Sequence, residues 1–89
     1  MPERTLTLTN QRGLHARAAT KLVQCCQQFN ASVRVVNQQQ EADAANIMAL
    51  LMLAAPCGTE LCIRAEGDDA EQALEAIQAL FDARFDEDK

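Results

Sequence analysis

Residues 60–81, with the sequence ELCIRAEGDDAEQALEAIQALF, contain the clearest strand pattern in the chain, followed directly by a helix pattern. In the first seven residues, apolar Leu61, Ile63 and Ala65 alternate with polar or small side chains. That period of two predicts a strand with one buried face and one solvated face. We therefore expect an open sheet, with Cys62 on its solvated face.

The second half of the same stretch predicts a helix that covers the buried face. Its apolar residues recur at helical spacing and are Ala70, Ala73, Leu74, Ile77, Leu80 and Phe81. Gly67 opens the turn before it, and Asp68 stands three residues before Glu71, as in a capping box. An amphipathic helix placed after a one-sided strand predicts a two-layer arrangement.

The rest of the chain divides into further short elements. We expect strands over residues 5–9, 31–36 and 41–44, and helices over residues 16–28 and 47–53. Leu6 and Leu8 alternate with threonines in the first strand, and Asn46 is a suitable N-cap for the second helix. On a helical wheel Cys25 and Cys26 both fall on the core side of the first helix.

The order of these elements is β-α-β-β-α-β-α. It predicts an α+β fold, an open-faced two-layer β-sandwich in which a four-stranded, mostly antiparallel sheet carries three helices on one face. The 89 residues, 48% of them hydrophobic, suffice for a single domain over residues 1–89. No apolar stretch approaches the roughly 20 residues of a membrane span, and the N-terminus lacks a secretory signal. We therefore expect a cytoplasmic protein with no membrane partner.

Charge is unevenly distributed in this chain, whose formal net charge is -5. The first forty residues contain five basic side chains and one acidic one, and four of the basic ones, Arg4, Arg12, Arg17 and Lys21, flank His15. This local positive charge favours an anionic ligand or an acidic partner surface. An acidic chain with no Trp, no Tyr and three Phe is poorly suited to nucleic acid, which we exclude as a partner.

The four cysteines, Cys25, Cys26, Cys57 and Cys62, allow two readings: a pair of disulfides or a metal site. Their spacing is unfavourable to both, because adjacent cysteines on a helix project about 100° apart and no C-x-x-C pair exists. Without a secretory signal, free thiols are the expected state, and we expect no metal and no cofactor. A thiol or metal protein is the weakest alternative.

His15, the single histidine, lies between Gly13-Leu14 and the helix expected to begin at Ala16. The first N–H groups of a helix lack intrahelical partners and favour a negative charge by about 0.3–1 kcal/mol, or up to about 2 when partly buried. A phosphoryl group on a ring nitrogen would meet them, with Arg17 able to approach its oxygens. The same field opposes protonation of the imidazole and so leaves a nitrogen free as nucleophile. The alternative is a polar junction residue with no task.

The short helix expected over residues 47–53 is apolar all round, although it is too short and too peripheral to be wrapped by protein. One arc of its helical wheel carries Ile47, Met48, Leu51 and Met52, and we name these four residues the docking patch. Flexible methionines suit contact with more than one partner. The alternative is that the helix belongs entirely to the core.

At this point the sequence resembles a known family. Gly13-Leu14-His15-Ala16-Arg17 before an amphipathic helix, and Asn46-Ile47-Met48 at the start of the second helix, resemble the HPr family of the bacterial phosphotransferase system. The resemblance covers the whole chain. Three further tracts look more like NPr, the nitrogen-branch paralogue: residues 49–53, 79–81 and 85–88.

The resemblance implies a phosphoryl carrier, not an enzyme with independent turnover. His15 would accept a phosphoryl group on Nδ1 from an enzyme I-type protein charged by phosphoenolpyruvate and pass it to an EIIA-type protein, while Arg17 would steady the group. Family members meet both partners at positions that correspond here to Ala16, Thr20, Lys21, Ile47, Met48 and Leu51. This set overlaps with the docking patch found from the helical wheel.

Two residues depart from the family pattern. Ala18 stands where the family usually has Pro, so the first turn gives up a rigid φ. Asn46 stands where many relatives carry a Ser that a regulatory kinase phosphorylates; Asn keeps the N-cap role but has no hydroxyl, so we expect that regulation to be absent. We expect a carrier of the nitrogen branch in preference to the sugar-transport branch. The rival is a regulatory protein-binding domain of the same fold that carries no phosphate.

Overall fold

The computed structural model describes residues 2–86, and its helices and strands follow the predicted order. The elements are β1 (Glu3–Thr7), α1 (Ala16–Cys26), β2 (Ser32–Asn37), β3 (Gln40–Asp43), α2 (Ile47–Met52), β4 (Glu60–Glu66) and α3 (Ala70–Asp82). The strands lie in the order β1-β4-β2-β3, and all three pairings are antiparallel. The predicted α+β open-faced sandwich is confirmed. Glu87 and Asp88, which contributed to the resemblance to NPr, lie outside the described residues.

One face of the sheet forms the core with the helices. Leu61, Ile63 and Ala65 of β4 are fully buried, as their alternation predicts. They are joined by buried side chains of the other elements, among them Leu6, Val33, Val35, Ala42, Ala19, Leu22, Leu50, Leu74 and Ile77. Each fully buried Leu or Ile contributes about 1.5–3 kcal/mol to folding. Cys62 is half-buried on the opposite face.

β1 begins and ends two residues earlier than predicted. Its residues Glu3–Thr7 pair with β4 from Arg64 back to Glu60, so β1 ends opposite the first residue of its partner strand. Leu8 lies just beyond β1 but remains fully buried, and its N–H donates to the carbonyl of Thr59 at 2.9 Å. The predicted alternation of buried leucines is therefore correct, whereas the predicted bounds were wrong.

α1 ends at Cys26, two residues before the predicted end. The N–H of Gln28 donates to the carbonyl of Cys25 at 3.3 Å, three residues back, so the helix tightens and stops there. Cys26 is buried as expected, but Cys25 is only half-buried and packs against the rim of the core.

The capping box predicted at the start of α3 does not form. Asp69, not Asp68, is the N-cap, and its side chain makes no capping hydrogen bond. Instead the carboxylates bind Asn30: Asp69 Oδ2 accepts from its backbone N–H at 2.7 Å, and Asp68 Oδ2 accepts from its side-chain amide at 3.3 Å. A tertiary contact with the loop after α1 therefore replaces the local one.

After α3 the chain makes one unusual turn, Arg84–Asp86. All three residues have positive φ, between 54° and 62°, which costs roughly 1–2 kcal/mol for each side chain with a Cβ. Phe85 is 1% exposed, and its ring centroid lies 5.0 Å from that of Phe81. Burial of this aromatic ring offsets the backbone strain and fixes the turn on the core.

Within residues 2–86, none of the helices has both the length and the apolarity that crossing a bilayer requires.

Candidate functional site

The loop before α1 is fixed against the segment that follows α2. Leu14 donates its N–H to the carbonyl of Ala55 at 2.9 Å. Gly13 has a φ of +67°, and a Cβ there would lie 2.4 Å from the Ala55 oxygen. Inside the loop the side-chain amide of Asn10, itself fully buried, donates to the Gly13 carbonyl at 2.7 Å. This packing determines where His15 stands.

His15 is the N-cap residue of α1, with φ -86° and ψ -176°. Its ring is half-buried, and Nδ1 accepts the backbone N–H of Arg17 at 3.2 Å. The backbone carbonyl of His15 accepts the N–H of Ala19 at 2.8 Å, which is the first backbone hydrogen bond of the helix. Because Nδ1 accepts this N–H, it carries no proton in this arrangement, and the proton of a neutral ring lies on Nε2.

This geometry allows the ring to carry an anion. A negatively charged group on Nδ1 would take the place now next to the Arg17 amide. The N–H groups of Ala16 and Ala18 also lie in the first turn, where no intrahelical acceptor exists. Absence of the family's proline does not displace the helix start, because α1 begins at Ala16 and Ala18 is fully buried.

The four cations that flank His15 in sequence have different environments. Arg4 is hydrogen-bonded to a glutamine of α3 at 2.7 Å, and Lys21 forms an ion pair with Asp86 at 2.9 Å. Arg12 and Arg17 are exposed, and their guanidinium groups form no ion pair within residues 2–86. The positive charge near His15 is therefore smaller than the sequence suggests, and Arg17 is the exposed cation in the first turn of α1.

α2 presents the two methionines of the docking patch to solvent. Met48 is 65% exposed and Met52 is 76% exposed. Ile47 and Leu51 are half-buried and pack against the core, while Leu50 on the opposite side is fully buried. The helical wheel therefore divided α2 correctly into an inner and an outer side, and the outer side includes two residues that also support the core.

The start of α2 is capped as the sequence predicts. Asn46 Oδ1 accepts the N–H of Ala49 at 3.1 Å. This hydrogen bond satisfies one of the first-turn donors in a helix of six residues.

The remaining predicted partner residues lie on α1, which packs against α2. Ala16 is exposed, and Thr20 is half-buried with its hydroxyl donating to the Ala16 carbonyl at 2.8 Å. Lys21 is half-buried and engaged with Asp86. The predicted residues thus occupy two adjoining helices, and the contact with Asp86 is the feature that sequence reasoning missed.

The cysteines form no disulfide. Burial raises the pKa of Cys26 to about 12, with smaller contributions from Cys25 and Asp43, and burial also raises the pKa of Cys25. Cys57 is exposed. Among residues 2–86, no group of three or more His, Cys, Asp or Glu side chains is arranged to hold a metal ion.

Comparisons with known proteins place most of the chain in one family. A family model described as "PTS HPr component phosphorylation site" matches residues 2–83. The phosphocarrier protein NPr of Shewanella violacea is 46% identical over 85 residues, 96% of this chain and 93% of that protein. The phosphocarrier protein HPr of Xylella fastidiosa is 42% identical over 88 residues, 99% of each. The crystal structure of HPr-C-His from Thermoanaerobacter tengcongensis superposes with a TM-score of 0.95 at 34% identity, covering 100% of both chains.

Proposed function

This chain belongs to the HPr family of phosphocarrier proteins, and from that premise we propose that His15 is its phosphoryl acceptor. Proteins of this family relay phosphoryl groups and are not independent enzymes, and this chain is such a carrier. The observation that supports His15 is the hydrogen bond from the Arg17 N–H to its Nδ1 at 3.2 Å. It aligns the lone pair of the nucleophile with the positive end of α1.

In the proposed transfer the Nδ1 lone pair attacks the phosphorus of the donor's phosphoryl group. An N–P bond forms, the donor's own bond to phosphorus breaks, and its electron pair stays on the donor. Nε2 keeps its proton. The Arg17 N–H, which donates to Nδ1 in the free chain, then donates to a phosphoryl oxygen. The N-terminal end of α1 stabilises the new dianion by about 0.3–1 kcal/mol, or up to about 2 kcal/mol in a partly buried site.

We assign Arg17 the task of steadying the phosphoryl group. Its side chain is exposed, and its guanidinium forms no ion pair within the described part of the chain, so it can turn toward the oxygens without losing a partner. A guanidinium stays charged at any physiological pH and can donate two hydrogen bonds to a phosphoryl group.

The proposed donor is an enzyme I-type protein charged by phosphoenolpyruvate, and the proposed acceptor is an EIIA-type protein. Both would dock on the adjoining surfaces of α1 and α2, through Ala16, Thr20, Lys21, Ile47, Met48, Leu51 and Met52. The exposed methionines support this surface, because they lie one helical turn apart and form a contiguous apolar patch of the kind that marks interaction sites. We propose that residues 1–89 form one HPr-like domain that works in the cytoplasm, where phosphoenolpyruvate is available.

The first experiment tests the acceptor. The chain is incubated with an enzyme I-type protein and phosphoenolpyruvate, and intact-mass measurement should show an acid-labile gain of one phosphoryl group. His15→Asn is the matched control, because Asn is a good N-cap residue and lacks the nucleophile. His15→Ala loses both the nucleophile and the cap, which lowers stability by about 0.5–2 kcal/mol. Labelling of His15→Asn would contradict the assignment of His15 as the acceptor. No labelling of the wild type would favour the regulatory domain that carries no phosphate.

The second experiment tests the docking patch. Met48→Ala should weaken binding of the enzyme I-type protein, measured by titration calorimetry. Val36→Ala, which shortens a half-buried apolar side chain on the solvated face of β2, should leave the affinity unchanged. Equal affinities for the wild type and Met48→Ala would remove Met48 from the proposed surface.

For the branch we propose the nitrogen-regulatory one. Support comes from the 46% identity with the Shewanella violacea NPr, slightly above the 42% with the Xylella fastidiosa HPr. Phosphorylated carrier should therefore lose its label faster to a nitrogen-type EIIA protein than to a sugar-type EIIA protein at equal concentrations. The reverse order would assign the chain to sugar transport.

A further inference from the structure

The turn at the end of α3 brings a carboxylate to the helix that begins at the acceptor histidine. Asp86 Oδ2 accepts a hydrogen bond from Lys21 Nζ at 2.9 Å, across 65 residues of sequence. Lys21 lies four residues after Arg17 on α1, so the two cations stand on the same side of the helix. Of these two, Lys21 is neutralised by a partner from the chain itself, whereas Arg17 is not.

The position of Asp86 is fixed by the core. Phe85 is 1% exposed and packs on Phe81, and the residues on both sides of it share its left-handed backbone, with φ of 55° and 62°. Side chains with a Cβ disfavour that conformation. A strained turn anchored by a buried aromatic ring therefore holds the carboxylate next to Lys21.

The ion pair is nevertheless open to competition. The side chain of Asp86 is 66% exposed and that of Lys21 is 31% exposed. An exposed ion pair is weak, because water and salt screen both groups. A carboxylate from a docked protein can therefore replace that of Asp86 without disturbing the fold.

We propose that Asp86 is a specificity-determining residue for docking. In the free carrier Asp86 is paired with Lys21. A carboxylate of the partner therefore has to displace the Asp86 carboxylate before it can pair with the Lys21 ammonium. A strongly acidic docking face overcomes this competition, and a weakly acidic one does not. The inference rests on the proposed function, since it requires α1 to be part of the docking surface. Asp86 raises the KM for the partner and takes no part in the transfer at His15.

The test measures the rate of transfer from phosphorylated enzyme I-type protein to the full chain over a series of salt concentrations. Asp86→Asn removes the charge, and Asn tolerates positive φ better than most residues, so the turn is kept. Asp82→Asn is the matched control: it removes the same charge from an exposed position that forms no ion pair within residues 2–86. Asp86→Asn should lower KM about two- to fivefold at low salt with kcat unchanged. Asp82→Asn should change KM less, and high salt should remove the difference.

A second pair of variants isolates the contact with Lys21. In a Lys21→Gln background, Asp86→Asn should have no effect on KM beyond that of Asp82→Asn. The proposal is overturned if Asp86→Asn still lowers KM in the Lys21→Gln background, or if the two Asn variants have equal KM values. A higher KM in Asp86→Asn also overturns it, because Asp86 would then position Lys21 for the partner. If the wild type is labelled normally, such results overturn only the role of Asp86. A wild type that is not labelled overturns the proposed function, and this inference with it.

Discussion

Replacing Gly13 by Ala should both destabilise the protein and displace His15, the proposed phosphoryl acceptor. Gly13 has a φ of +67°, and an added Cβ would lie 2.4 Å from the oxygen of Ala55 and 2.8 Å from the backbone of Pro56. The left-handed backbone costs an alanine roughly 1–2 kcal/mol, and forcing two backbone segments apart adds about 1–3 kcal/mol. We therefore expect a total loss of about 2–5 kcal/mol, a large share of the roughly 5–15 kcal/mol that stabilises a typical domain.

Gly58→Ala is the matched control for this variant. Gly58 also has a positive φ, +92°, but a Cβ there would meet no atom within 4 Å. Only the backbone term remains, so the expected loss is about 1–2 kcal/mol. The difference between the two variants measures the close approach of the His15 loop to the segment after α2.

Urea denaturation followed by far-UV circular dichroism is the appropriate assay, because the chain has no Trp and no Tyr to report by fluorescence. Gly13→Ala should also be phosphorylated more slowly than Gly58→Ala under conditions in which both are folded, since only the former moves the loop that positions His15. Equal stability losses in the two variants, or equal labelling rates, would refute this reasoning.

Three further predictions concern other parts of the fold. Ala54 has a φ of +51° on the surface, so Ala54→Gly should raise the free energy of unfolding by about 1 kcal/mol, whereas Ala79→Gly in α3 should lower it by about 1. Thiol reagents at neutral pH should modify exposed Cys57 in the native protein. Cys26, with its pKa of about 12, should react only after unfolding, and its modification in the native protein would contradict its burial. Asn46→Ala should lower the free energy of unfolding by about 1 kcal/mol in urea denaturation, and Asn46→Ser by only a few tenths, because Ser also caps a helix; equal losses would contradict the capping role of Asn46.

The fold was predictable because its signals are periodic and local. Alternation in β4 and the apolar stripe of α3 each reflect contacts that repeat every two or every three to four residues, and both are confirmed. Strand bounds were less predictable, because β1 ends where its pairing with β4 ends, a fact that no single stretch contains. Pattern therefore predicts which face is buried more reliably than it predicts where an element stops.

The capping box at α3 shows how a sound local rule can fail. Asp68 and Glu71 have the spacing of the motif, yet the carboxylates of Asp68 and Asp69 are taken by Asn30, which lies far away in sequence. The fold brings two donors of Asn30 to these carboxylates, so neither carboxylate caps the helix. Asn46 Oδ1 and His15 Nδ1 each accept a backbone N–H of their own helix's first turn. Asn46 is thus the N-cap that the sequence predicts.

The difference between local and tertiary contacts also explains why the sequence pointed to His15 but not to Asp86. Nδ1 of His15 and the amide that faces it are two residues apart, so the sequence alone brings them together. Asp86 reaches Lys21 through a left-handed turn that backbone preference disfavours and that only the burial of Phe85 stabilises. A residue whose position depends on tertiary packing leaves no local pattern. The proposed chemistry of this carrier therefore depends on five consecutive residues, 13–17, whereas the proposed selection of its partners depends on the completed fold.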